Sequence, residues 1–346
     1  MIELLIGMAI ALFVVAALYG LFTVQSRQFY YQDMQMQMHQ NLRFGVDTLT
    51  RSARMAGLGT SGLVTGWGGV TGPSDTVNPL PAMQSYDNWS GEGHDAFSVV
   101  YAEPSLMLST SITKTPQCET DSLYVLSDLG DHEDRLPEYT AGELLLCMDY
   151  ASIFGMESYL WVISGLDGSD PNLTTINVSS NAMYSDYAAV CPTGENLTPV
   201  MACSKAQVVT FYIDDTDDGV GPGSPEHPTL MMDVDLGWPE TDDVPLVEDV
   251  EDLQVAWCLD DAADSVSCAD EGSWVDSLDM TTGDTPWMVR LSMVVRSPRE
   301  DFNESFAGSQ VALENHSPDT TVSDHYYRKA LTTEVTVRNL RIQSVM

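Results

Sequence analysis

Positive charge is what this chain has least of: 14 Lys and Arg stand against 51 Asp and Glu, for a formal charge of -37. Such a surface repels phosphate, which excludes bulk nucleic acid and charge-driven binding to an anionic bilayer. Only Lys114, Arg135 and Lys205 interrupt a long acidic middle, the other basic residues falling before residue 55 or after residue 289. Cysteine is scarce too, with six residues and no C-x-x-C, and the six histidines form no ligand-spaced pair, so a zinc site finds no support. A nucleophile elbow, a P-loop, a dinucleotide fingerprint and a metalloprotease helix are all missing. Gly219, Gly221 and Gly223 are followed by no helical pattern and read as a loop, so nothing argues for an enzyme. There is no internal repeat and no low-complexity tract. Apolar residues are not scarce: at 44% they exclude a disordered acidic chain.

They are unevenly spread. Leu4 to Val24 is a run of 21 residues with no charge and only Thr23 clearly polar, which as a helix measures about 31 Å and can span a bilayer. A cleavable secretory signal is the competing reading, but no basic stretch precedes the run and no small-x-small site follows it. The helical pattern instead continues. Tyr31, Met34, Met38, Leu42, Val46, Leu49, Ala53 and Ala56 recur at steps of three and four, the mark of a helix with one buried stripe. Gly57-Leu58-Gly59 then supplies a stop. Glu3, at the edge of the apolar run, is costly in a low-dielectric setting unless a cation neutralises it. The first basic residue, Arg27, follows the span; both features fit a chain from which a short basic leader has been cut.

Met1-Ile2-Glu3-Leu4-Leu5-Ile6-Gly7 resembles the start of a type IV pilin, in which a leader peptidase cuts after a Gly and the new terminal residue is methylated. Set against that pattern, the sequence begins slightly downstream of the mature terminus. Asn41 to Asp47 and Arg51 to Gly57 are similar to the segment PilW-type pilins carry at the same place, with Ser52 where an Asp is usual. Val250 to Val255 and Arg328 to Asn339 also look like that family.

Beyond Gly57 a stretch rich in Gly, Pro, Ser and Asn reads as a long loop over residues 58–95. Short apolar runs follow, at Phe97 to Tyr101, Leu123 to Leu126, Glu143 to Met148, Tyr159 to Ile163, Thr175 to Val178, Gln207 to Ile213, Thr229 to Val234, Leu253 to Leu259, Met288 to Val295 and Leu331 to Val337. Most are β-branched or aromatic and of strand length. The expectation is an α+β protein: an N-terminal helix over 1–57, with 4–24 as membrane span or filament core, packed on a large antiparallel β-rich domain over 96–346. From Lys329 to Leu340, Leu331, Thr333, Val335, Val337 and Asn339 alternate with polar residues, as in a half-buried strand.

An even number of cysteines in an exported chain favours three disulfides among Cys118, Cys147, Cys191, Cys203, Cys258 and Cys268, nearest neighbours being the simplest of fifteen pairings. Asp214, Thr216 and Asp218 precede Gly219 with the alternate spacing of a hard-cation loop, so Ca²⁺ is the one cofactor the sequence raises. A solvated acidic turn is the competing reading. The cluster Asp242, Asp243, Glu248, Asp249, Glu251 and Asp252 has no ligand spacing and reads as surface. Asn88, Asn172, Asn177, Asn196, Asn303 and Asn315 each open an Asn-x-Ser/Thr triplet, an acceptor pattern for glycans on an exported surface, though Ser- and Thr-rich loops give the same pattern.

The resemblance implies a structural protein: a subunit held in the inner membrane by its first helix, then moved by the assembly machinery into an extracellular filament. Its partners would be copies of itself or other pilins, the prepilin peptidase and the assembly machinery. Met1, Glu3 and Gly20 are the assembly residues, Glu3 neutralising the terminal amine of a neighbour and Gly20 allowing local extension of the helix. Alternatives are a low-copy PilW-type minor pilin that primes assembly at the tip, a calcium-dependent adhesin of the filament, and a secretion-system pseudopilin.

Overall fold

The computed structural model describes residues 2–64, 80–89, 93–103, 108–111, 122–126, 139–149, 157–170, 173–179, 200–216, 223, 227–234, 243–260, 268, 274–276, 285–301, 306–307, 313–314, 316 and 323–340. A single helix, Ile2–Met55, takes up 54 residues and extends about 81 Å. No proline interrupts it, and Leu, Met, Ala and Gln supply strong helix formers along its length. It ends where Gly57 adopts a left-handed φ of 74°, a conformation glycine takes without penalty. The N–H of Gly57 donates to the carbonyl of Val100, and the Asn339 amide donates to the carbonyl of Ala56 at 3.2 Å. The last turn is thereby tied to strand Ala96–Ala102 and to the turn that follows strand Arg328–Thr336.

Two large antiparallel sheets carry most of the rest, beside two two-stranded ones among the described residues. The larger has ten strands, built around the long strand Val200–Asp214. On one edge this strand pairs with Leu144–Asp149 and Thr229–Asp233; on the other it pairs with Ala96–Ala102 and Leu108–Ser111. The smaller sheet has four strands, in the order Trp274–Val275, Val250–Asp260, Thr285–Arg296, Arg328–Thr336.

The sheets are joined at one residue. Val244–Glu248 is an edge strand of the larger sheet, Val250–Asp260 belongs to the smaller, and Asp249 between them has a φ of 62°. That is uncommon for a residue with a side chain. Its carboxylate meets the His227 ring at 2.9 Å, its carbonyl accepts from the Arg296 N–H, and the next N–H, of Val250, donates to the carbonyl of Pro228. The corner is thus fixed by groups from three elements.

The second half of the helix packs on the smaller sheet, against Thr285–Arg296 and Arg328–Thr336. Met38, Leu42, Val46, Leu49 and Ala53 share one core with Leu291, Met293, Val295, Val335 and Val337, and with Phe97, Val99, Phe211 and Leu230 of the larger sheet. All ten apolar runs of the sequence fall in strands. The 58–95 stretch, expected as loop, also contains the strands Leu63–Val64, Leu80–Pro81 and Met83–Tyr86. Met83–Tyr86 pairs with Ala96–Ala102, so main-chain pairing overrides the Gly- and Pro-rich composition there.

Candidate assembly surface

The helix has two regimes. From Met34 onward every third or fourth residue is buried, whereas residues 2–31 are exposed all round, including Ile6, Leu12, Phe13, Leu18, Phe22 and Phe29. This part is long and apolar enough to cross a membrane. Glu3 is exposed at its start, Met1 lies outside the described residues, and the backbone at Gly7 and Gly20 faces open space. Thr23 donates its hydroxyl to the carbonyl of Gly20 at 2.8 Å, a side-chain bond that competes with the helix ladder at a residue of low helix propensity. Each fully buried Leu, Ile or Phe gains roughly 1.5–3 kcal/mol over its exposed state. With this many exposed, the segment is driven into lipid or against other apolar helices.

Where the helix meets the domain, polar and aromatic contacts form a shoulder. Tyr31 stands edge-on to Tyr327 with ring centroids 5.2 Å apart, and Lys329 reaches the His39 ring. Beside them the Arg328 side chain, 7% exposed, is forked between Glu251 and Asp324. Burial works to lower the Arg328 pKa, but the hydrogen bonds it donates to Asp324 and Glu251 outweigh it and raise it. Burial likewise works to raise the Asp324 carboxyl, and the Arg328 hydrogen bond leaves it below its ordinary value. This ion cluster holds the start of strand Arg328–Thr336, on which the helix rests.

The acidic cluster expected at the surface is partly interior. Asp249 and Asp252 are each 3% exposed. Asp252 sits under two histidines, 2.7 Å from the His316 ring and 3.5 Å from that of His94, and also accepts from the Gln254 amide. His94 in turn faces Asp215 at 3.6 Å. Asp243 takes the Tyr212 hydroxyl, and Glu251 belongs to Arg328. These carboxylates form polar joints between elements, and the pairing crosses too much sequence for spacing to reveal it. Asp95 is a joint the sequence gave no sign of: its carboxylate accepts from the N–H groups of Val255 and Asn88, and its own N–H donates to Leu253. It thereby links the start of strand Ala96–Ala102 to the smaller sheet. Burial pushes its carboxyl up to about 7, against those two backbone hydrogen bonds.

Of the proposed cation loop, Asp214 and Thr216 lie together at the end of the long strand. Asp214 Oδ1 accepts from the Thr216 hydroxyl at 2.9 Å and its N–H at 3.2 Å, while Oδ2 accepts from Gly223 at 3.0 Å. Asp218 lies outside the described residues, among which no group of three His, Cys, Asp or Glu is placed to hold a metal.

The nearest-neighbour disulfide scheme is corrected at Cys147, which bonds Cys203, the residue opposite it on the adjoining strand. Strand register, not chain proximity, brings these two together, so Cys147 cannot bond Cys118, nor Cys203 bond Cys191. Cys118 and Cys191 themselves lie outside the described residues. Cys258 bonds Cys268, the neighbour expected. Of the six triplet asparagines, Asn88 is exposed on a turn with a φ of 52°, and its side-chain oxygen accepts from Gly93. Asn177 lies in strand Leu173–Ser179, and Asn172, Asn196, Asn303 and Asn315 are outside the described residues.

A long helix, apolar and exposed in its first half and packed on an antiparallel β domain in its second, is the arrangement that the resemblance to type IV pilins implies. Residues 210–339 match the PilW family, described as Type IV Pilus-assembly protein W. The match takes in the whole four-stranded sheet, which bears the helix, and ends at Asn339, which caps it. Among solved structures, a type IV-like pilin from Thermus thermophilus is similar at 13% identity, over 59% of this chain and 87% of that one, with a TM-score of 0.23. That score is too low for any conclusion to rest on it. No curated protein matches the chain.

Proposed function

We propose that this protein is a structural subunit of an extracellular type IV pilus-like filament, held in the inner membrane by residues 4–24 until the assembly machinery transfers it. The supporting observation is the division of one uninterrupted helix into a C-terminal half that is part of the core of its own domain and an N-terminal half that is exposed all round among the described residues. Lipid covers this N-terminal half before assembly, and helices of other subunits cover it afterwards. Glu3 lies where such a bundle excludes water, and the terminal amine of an adjacent subunit is its counter-charge. The pair sets register, because either charge left alone in the bundle costs several kcal/mol. The match to a pilus-assembly family favours a second reading, in which few copies sit with other minor pilins in the tip complex that starts the filament. A calcium-dependent adhesin and a secretion-system pseudopilin rest on the Asp214 loop and the helix alone.

Quantitative mass spectrometry of sheared, washed filaments tests this. A dominant signal supports the filament-building subunit, and a trace beside a smaller dominant pilin supports the tip role. Absence from filaments while membranes retain the chain overturns both. Glu3→Val leaves the domain folded and prevents incorporation; wild-type filaments from that variant would remove Glu3 from the mechanism.

A further inference from the structure

The helix and the remainder of the chain differ sharply in charge. Up to residue 55 there are four arginines and three carboxylates; after it, ten basic residues face forty-eight carboxylates. Lys205, Arg290 and Arg328 beyond the helix each hold a carboxylate. Arg43, Arg51 and Arg54 do not: all three are exposed and make no ion pair among the described residues. They lie on the helix face turned away from the buried Met38, Leu42 and Leu49. Phe29, Met36 and Phe44 share that outward face at steps of seven and eight residues, 69%, 58% and 55% exposed. Asp33 and Asp47 are exposed on the same face, so the stripe carries three cations against two carboxylates, a small positive excess in a chain of charge -37. Together with its large apolar side chains this is the composition of an interface.

We propose that this outward face, from Phe29 to Arg54, is a docking surface for a second copy of the chain, whose β-domain carboxylates it receives. The proposal rests on the filament reading and names the contact partner for this part of the helix. Charge complementarity selects that occupant. Two copies meeting domain to domain bring like charges together, whereas this stripe offers the opposite sign, with apolar area between its cations. Two such stripes facing each other would set a net positive charge against the same, whereas the β domain is strongly negative, so the contact is heterologous, stripe to domain, and propagates from copy to copy.

The test uses the full chain in its native membranes, with a photoreactive benzoyl-phenylalanine in place of Phe44. The expected product is a covalent dimer whose joined peptides connect position 44 to a segment of the second copy beyond residue 55. Changing Arg43, Arg51 and Arg54 together to Glu is expected to lower its yield at least about tenfold, and changing all three to Lys to keep it within about twofold. Unchanged protease resistance of the domain shows that the Glu variant is folded. Adducts confined to residues 2–55, adducts to a different protein, or a yield indifferent to charge reversal would each overturn the docking proposal. Those results leave the filament reading intact, since that reading fails by absence of the wild-type chain from filaments.

Discussion

Gly45 brings the helix backbone so close to Met293 that a Cβ at position 45 would lie 2.5 Å from the methionine Cε and 2.9 Å from its Sδ. This is where helix and smaller sheet touch. The obstructing atoms are the far end of a flexible side chain, so Gly45→Ala gains helix propensity and loses packing, and its net effect on stability is close to zero. Gly45→Leu has no such outlet and costs about 1–3 kcal/mol by overpacking. Thermal unfolding of the detergent-solubilised chain measures this, with Met293→Ala partly restoring the Leu variant.

Arg328→Ala removes the cation between Glu251 and Asp324 and leaves both carboxylates in a half-buried setting. The expected loss is about 3–5 kcal/mol, the range for breaking a buried pair. Arg328→Lys recovers only part of it, because an ammonium cannot make the forked contact with two carboxylates. Denaturant titration of the three proteins checks the order.

Asp95 gives stability a pH dependence of definite sign. Its carboxyl, raised by burial to about 7, keeps its proton in the fold over a range in which the unfolded chain has released it. The Asp95 contribution therefore favours the fold at low pH, declines as pH rises from about 4 to about 7, and stays lost above that. Asp95→Asn loses one backbone hydrogen bond at every pH but flattens this part of the slope. Melting temperatures of both proteins across that interval measure the difference, and parallel slopes would contradict the assignment.

The bond between Cys147 and Cys203 closes a sequence separation of 56 residues. A non-reduced digest analysed by mass spectrometry is expected to yield a peptide joining these two cysteines and a second joining Cys258 to Cys268. Replacing Cys147 and Cys203 by Ser is expected to lower stability by about 2–4 kcal/mol.

What was legible in the sequence was periodic. The stripe from Met34 to Ala56 and the alternation ending at Asn339 are local patterns, and the helix and the strand beneath it follow from them. The strand Val244–Glu248 was not legible, because a proline interrupts its short apolar run and its neighbours are acidic. Asp249 and Asp252 were misplaced at the surface for a related reason: a carboxylate is buried when distant groups meet it, and His227, His94 and His316 come from three separate stretches of chain. The Cys147 pairing failed in the same way, since register across strands is a property of the sheet. Apolar exposure along residues 4–24 was legible from composition alone, whereas Tyr31, expected at the start of the buried stripe, is 44% exposed because the helix meets the domain only from Met34 onward, Tyr31 touching just the edge of Tyr327.

The helix-to-sheet contact runs from Met34 to Ala53, about 29 Å along the axis. A subunit pulled by its exposed half would bear the load along this whole length at once. Side chains stacked in parallel along a seam give way together, so such a joint resists traction far better than one whose contacts peel apart in turn. The Arg328 cluster and the Asn339 cap lie near its two ends, where a seam under tension would start to open.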